Sequence, residues 1–185
     1  MSESQPQHRP VRYWLKLLGS DEERSQQEAV EALSRLGQEA VADLVKALGD
    51  DDWQVRNQAA VALGAIGPDA IAAVPALVGV LQEEDKYFRG QGAVALGKIG
   101  PRASAAVPAL IKALKDDDED VRREAAAALG HIGPDAREAV AALVELLRDP
   151  RKPVRKQAVQ ALEEIDPGAA APYLHFWSRF RNWLG

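Results

Sequence analysis

No cysteine occurs among the 185 residues. That excludes a disulfide framework, a thiolate nucleophile and any Cys-based zinc or iron–sulfur site within the chain. Aromatic residues are scarce at 5%, so a core has to be assembled from alanine, leucine and valine, a composition that suits closely packed helices better than a β-sandwich. Positive charge is not in excess: 23 Lys and Arg against 28 Asp and Glu leave a formal net charge of −5. Nucleic-acid affinity rests largely on neutralised phosphates, so no nucleic acid is expected as a partner. A long apolar run is missing as well. Residues 70–81 form the longest uncharged one, too short to cross a bilayer and interrupted by Pro75. The opening MSESQPQHRP is polar, has no apolar signal segment and reads as a disordered tail over residues 1–10. The expected compartment is the cytoplasm.

Catalytic groupings are also lacking. His8, His131 and His175 fall in the tail, at a helix end and in the terminal segment, and no pair has the spacing of metal ligands or a triad. Glycines end helices here instead of opening them after a strand, which argues against a phosphate-binding loop. Most carboxylates sit in turns where helix capping explains them. No catalytic residue, no metal site and no cofactor is expected.

What the chain does have is a repeat. Val41, Val74, Val107 and Val140 stand 33 residues apart, with Tyr173 one period further. The segment 11–40 joins the series if it is three residues shorter near its end: WLKLLG then lies over LVKALG, and AVEALSRLG over AAVALGAIG. The units are therefore 11–40, 41–73, 74–106, 107–139 and 140–172, followed by a lone first half at 173–185. In each, a first apolar stripe (Val74, Leu77, Val78, Leu81) recurs at offsets of three, four and seven, the pattern of an amphipathic helix. Pro75 and Pro108 stand near its start, where a missing N–H does little harm. A second helix follows an acidic turn, with Asp52, Asp85 or Asp118 placed to cap it and Gly67-Pro68, Gly100-Pro101 or Gly133-Pro134 to stop it. The expectation is all-α, a stack of about five helix pairs plus a C-terminal capping helix.

The strings DWQVRNQAAVALGAIG and DEDVRREAAAALGHIG, followed by AVPALI at residues 106–111, resemble HEAT repeats, in particular the short subtype of the phycobilisome (PBS) lyase HEAT-like family. The resemblance runs from residue 11 to the C-terminus. It implies a right-handed α-solenoid forming one domain over 11–185. It further implies that the periodic arginines (Arg56, Arg89, Arg122, Arg155) and acids (Asp50, Glu83, Asp116, Asp149) form a ladder between repeats. Phe88 where valine is usual, Gly90 and Gly92 loosening the second helix, and Arg151 at an N-cap position depart from the pattern.

On a helical wheel, the ridge of the second helices opposite the buried stripe carries Trp53, Asn57, Val61 and Gly64, then Lys86, Gly90, Val94 and Gly97, with Tyr87 beside them and Arg123 one repeat on. By the resemblance, this ridge lines a concave surface. Trp53, Asn57, Val61, Tyr87, Gly90, Val94 and Arg123 are thus the candidate contacts for a protein partner, since exposed aromatic patches often mark binding sites. The acidic run 116–120 and the basic Arg148, Arg151, Lys152, Arg155 and Lys156 are expected to attract one another across neighbouring turns. Five of the ten aromatics fall in the last thirteen residues. There Tyr173, Trp177, Phe180 and Leu184 continue the core stripe as a cap, while Leu174 and Trp183 widen the apolar arc and, with Arg179 nearby, make a candidate secondary contact for a partner or a membrane surface. The resulting expectation is a non-enzymatic protein-binding scaffold, adaptor or assembly factor. The resemblance supplies the alternative: a phycobilin lyase subunit or phycobilisome-associated factor handling a linear tetrapyrrole, heterodimeric, with the client supplying the thiol. A DNA-binding solenoid ranks last, because Lys86, Arg123, Lys152 and Lys156 would have to overcome an acidic chain.

Overall fold

The computed structural model describes residues 9–168 and 171, and among these there is no strand. Short and long helices alternate: α1 (Val11–Leu18), α2 (Glu23–Leu36), α3 (Gln38–Ala47), α4 (Trp53–Ile66), α5 (Val74–Val80), α6 (Lys86–Ile99), α7 (Val107–Ala113), α8 (Glu119–Ile132), α9 (Val140–Leu146) and α10 (Lys152–Ile165). Aspartate caps start α4, α6 and α8. Asp52 accepts the Gln54 N–H at 2.8 Å, Asp85 the Tyr87 N–H at 2.8 Å, and Asp118 the N–H groups of Asp120 and Val121 at 3.0 and 3.3 Å. Arg151 gives α10 no side-chain cap; its own N–H goes to Asp149 at 2.8 Å, and Pro153 removes one donor from the first turn.

Glycine ends them. Gly67, Gly100 and Gly133 hold φ of 69°, 70° and 75° with ψ between −137° and −142°, a region that residues with a Cβ avoid. Each is followed by proline and a short 3-10 helix (Gly67–Ala73, Gly100–Ala106, Gly133–Ala139) that leads into the next short α-helix. The sequence pattern does not separate these 3-10 segments from the helices they precede. In the first unit, three residues shorter and without either proline, Gly37 (φ 57°) passes directly into the ten-residue α3.

Packing repeats with the same step. Leu63, Leu96, Leu129 and Leu162 are wholly buried in successive long helices, as are Leu77, Leu110 and Leu143 in the short ones. Each such side chain contributes roughly 2 kcal/mol by leaving water. Every long helix lies against the long helices before and after it. Closeness comes from glycine: a Cβ on Gly64, Gly97 or Gly130 would come within 3.1, 3.0 and 3.1 Å of the Cα of Ala95, Ala128 and Ala161 in the next long helix. This corrects the helical-wheel expectation for Gly64 and Gly97, which are buried and do not belong to the exposed ridge. The wheel assumed one packed face, whereas a stacked helix has packed faces toward its short partner and toward both neighbours. Gly92 does not loosen α6 either; a Cβ there would stand 2.8 Å from the Val80 side chain.

At the N-terminal end Trp14 is buried, Tyr13 meets its ring edge-on at 5.0 Å, and Arg9 lies 4.2 Å over Tyr13. One stretch, Trp53–Val80, reaches a mean hydropathy of 1.8 over a membrane-length window. It is broken at Gly67 into α4, a 3-10 turn and α5, so it is not one straight span.

Candidate interaction surface

Two rungs of the arginine–acid ladder are in place. Arg89 donates through Nε and Nη2 to Asp116 at 2.7 and 2.8 Å, and Arg122 to Asp149 at 2.7 and 3.3 Å, each partner 27 positions later. Each arginine also reaches back with Nη1 to two carbonyls of its own turn, Glu83 and Glu84 for Arg89, Asp116 and Asp117 for Arg122. Burial alone would raise the Asp149 carboxyl; hydrogen bonds from Arg122 and the Arg151 N–H, with the charges of Arg122 and Arg155, outweigh it and hold the group below the usual range. Asp116 is likewise lowered, by Arg89 and the Asp118 N–H against its burial. Arg56 keeps the carbonyl contacts, to Asp50 and Asp51 at 2.8 and 2.9 Å, but makes no ion pair among the described residues. Its guanidinium lies 5.8 Å over the ring of Phe88, the residue that departs from valine, and Glu83 at the rung position is left free.

One pair of the kind expected between the acidic and basic turns is present, Arg151 with Glu119. Lys86 pairs with Asp118 at 2.9 Å and lies 5.3 Å over the Tyr87 ring, its ammonium pKa raised chiefly by the Asp118 hydrogen bond. Arg123 is held by Asp120 and Glu124, both at 2.7 Å, so it offers little free positive charge.

Long helices touch each other directly, whereas the short ones are spaced by the 3-10 turns. The free face of this row of long helices is the one expected to line the concave side. On it Trp53 is 60% and Tyr87 71% exposed, and with Ile71 at 42% these are the large hydrophobic side chains left in water among the described residues. Asn57, one turn into α4, is half-buried and donates to the Trp53 carbonyl at 2.9 Å. Val61 and Val94 are half-buried about two turns beyond Trp53 and Tyr87 along the same helices. Gly90 stands between Asn57 and Arg123 in the row, and a Cβ there would meet nothing within 4 Å, which makes it a notch. The surface thus has two aromatic knobs, a shallow apolar floor and a gap. Leu174, Arg179 and Trp183 lie outside the described residues. Among those described, no group of His, Asp and Glu side chains is arranged to hold a metal ion. The wheel could signal the aromatic ridge but not the free state of Glu83, which depends on where Arg56 points.

Comparison with known proteins fits this architecture. A sequence profile described as HEAT repeats matches residues 11–97 and 107–175, and one described as PBS lyase HEAT-like repeat matches 88–116. No curated protein matches the chain. Among solved structures, an engineered protein is similar at 30% identity and a TM-score of 0.63, over 83% of this chain and 78% of its own. A chain of the complex of CpcE and CpcF of phycocyanin lyase from Nostoc sp. PCC7120 is similar at 22% identity and a TM-score of 0.71, over 82% and 96%. A designed armadillo repeat protein in complex with the peptide (KR)4 is similar at 23% identity and a TM-score of 0.62, over 90% and 91%.

Proposed function

Since the chain belongs to the HEAT-repeat family, we propose that it is a non-enzymatic scaffold, an adaptor or assembly factor that holds a protein partner on its inner face. The observation that carries this reading is the pair Trp53 and Tyr87, 60% and 71% exposed on consecutive long helices, where among the described residues only Ile71 is a further exposed large hydrophobic. Aromatic residues of this kind anchor interfaces because a rigid ring buries much area at little entropic cost. Val61, Val94, Asn57 and the notch at Gly90 supply the floor, and Arg123 closes the patch toward α8. The designed armadillo repeat protein, of similar fold, is in complex with a peptide, which supports a polypeptide as occupant of such a fold. The test is capture of partners from the native host by the full chain and by Trp53→Ala/Tyr87→Ala. Capture that the pair abolishes, with unchanged circular dichroism and melting, is the expected result; capture that survives it places the site elsewhere.

A second reading is favoured by the similarity to the CpcE–CpcF complex and by the match over 88–116: a lyase subunit, working as a heterodimer and handling a linear tetrapyrrole. Titrating the protein with a linear tetrapyrrole, alone and with candidate clients, should shift the pigment's absorbance if this reading holds. No shift in any mixture removes it.

A further inference from the structure

Each exposed aromatic follows an acidic turn. Asp50, Asp51 and Asp52 precede Trp53; Glu83, Glu84 and Asp85 precede Lys86 and Tyr87. All six carboxylates are exposed, and among the described residues none of them is in an ion pair. The turns further along are different: Asp116, Asp118, Glu119, Asp120 and Asp149 are all paired, with Arg89, Lys86, Arg151, Arg123 and Arg122. The imbalance begins at Arg56, which points to its own carbonyls and to Phe88 and so leaves Glu83 uncompensated. Over residues 50–57 and 83–90 there are six acids and three cations (Arg56, Lys86, Arg89), a net of −3, and two of those cations are already engaged by the next turn.

From this we infer that the inner face takes an extended, basic stretch of polypeptide, with lysines or arginines set among the six carboxylates that lack an ion pair and against the rings of Trp53 and Tyr87. The inference rests on the scaffold reading and names its partner. Aromatic faces attract ammonium and guanidinium groups, and the Tyr87 ring already receives the Lys86 ammonium at 5.3 Å. Neighbouring helices lie roughly 10 Å apart, and an extended chain advances about 3.3 Å per residue. One repeat therefore spans about three residues of such a partner, close enough for cations in one peptide to reach both acidic turns. The same field repels phosphate backbones and anionic lipid, so a nucleic acid or a membrane surface is a poor occupant.

A fluorescein-labelled octapeptide of alternating lysine and arginine, titrated with the full-length protein and followed by anisotropy, tests this. Saturable binding is expected. It should weaken by roughly tenfold or more in Asp50→Asn/Asp51→Asn/Glu83→Gln/Glu84→Gln, which spares both helix caps, and by a similar factor in Trp53→Ala/Tyr87→Ala. An alternating lysine–glutamate octapeptide should not bind. No saturable binding, or binding that either variant leaves unchanged, overturns the inference. If the basic octapeptide fails while native partners still require Trp53 and Tyr87, the basic occupant is wrong and the scaffold stands. If capture of those partners is also indifferent to the aromatic pair, both readings fall. Circular dichroism melting of each variant shows that it is folded when tested.

Discussion

Replacing the ladder arginines one at a time should separate rung from turn. Arg89, Arg122 and Arg56 all brace their own turn through two carbonyls, but only the first two also reach an acid in the next repeat. Arg122 and Asp149 are 13% and 5% exposed in their side chains, so solvent screens the pair weakly. Hydrogen bonds to charged groups are worth about 1.5–3 kcal/mol each, and removing one partner leaves the other desolvated. Asp149 would keep the Arg151 N–H, which limits the loss. Arg122→Gln is thus expected to cost about 2–3 kcal/mol, and Arg56→Gln, which forfeits carbonyl contacts and the ring of Phe88, about 1 kcal/mol. The assay is urea unfolding followed by circular dichroism, closed by two double-mutant cycles. Coupling of Arg122→Gln with Asp149→Asn should reach about 1–2 kcal/mol, and that of Arg56→Gln with Glu83→Gln should stay within about 0.3 kcal/mol. Units in a solenoid contact only their neighbours, so the lost rung should also broaden the transition. An Arg56→Gln variant as costly as Arg122→Gln, or no coupling across the Arg122–Asp149 pair, would refute the reasoning.

Three further outcomes follow from the same geometry. Gly97→Ala puts a Cβ 3.0 Å from the Ala128 Cα across two packed backbones and should destabilise by about 1–3 kcal/mol, whereas Gly90→Ala meets open space and should stabilise by roughly 0.5–1 kcal/mol; thermal melts compare them. Asp116 and Asp149 titrate lower in the folded chain than in the unfolded one, where carboxylates sit near about 4. Their contribution is therefore complete above that value and lost as pH falls through the lower folded values. The urea midpoint should hold down to about pH 5 and fall below about pH 4, and Asp149→Asn should flatten the fall. Trp53→Ala/Tyr87→Ala should leave the melting temperature nearly unchanged, because both rings are mostly in water already.

Much of the architecture is visible in the letters because it is periodic. A 33-residue step repeats the cap acid, the Leu of each buried stripe and the Gly-Pro stop, and each has a local physical reason to be where it is. The exposure of Trp53 and Tyr87 follows from the same wheel. What the wheel missed is non-local. Gly64 and Gly97 look like ridge positions until a second long helix is laid against them, and Gly92 looks flexible until Val80 is brought to it. The 3-10 turns follow a positive-φ glycine and the proline after it at Gly67, Gly100 and Gly133, which no hydrophobic period reports. Least legible is the broken rung. Arg56 and Glu83 have the right spacing, yet the guanidinium lies 5.8 Å over the Phe88 ring and on its own turn's carbonyls, with no ion pair to Glu83 among the described residues.

The most direct measurement is site-specific photocrosslinking in the native host, with a photoreactive residue introduced at Asn57 or Gly90 on the inner face and, in a separate variant, at Ile71 in the 3-10 turn on the other row. The account predicts that positions 57 and 90 crosslink to one common protein and that position 71 does not. Crosslinks to that protein from position 71, with none from 57 or 90, would contradict it.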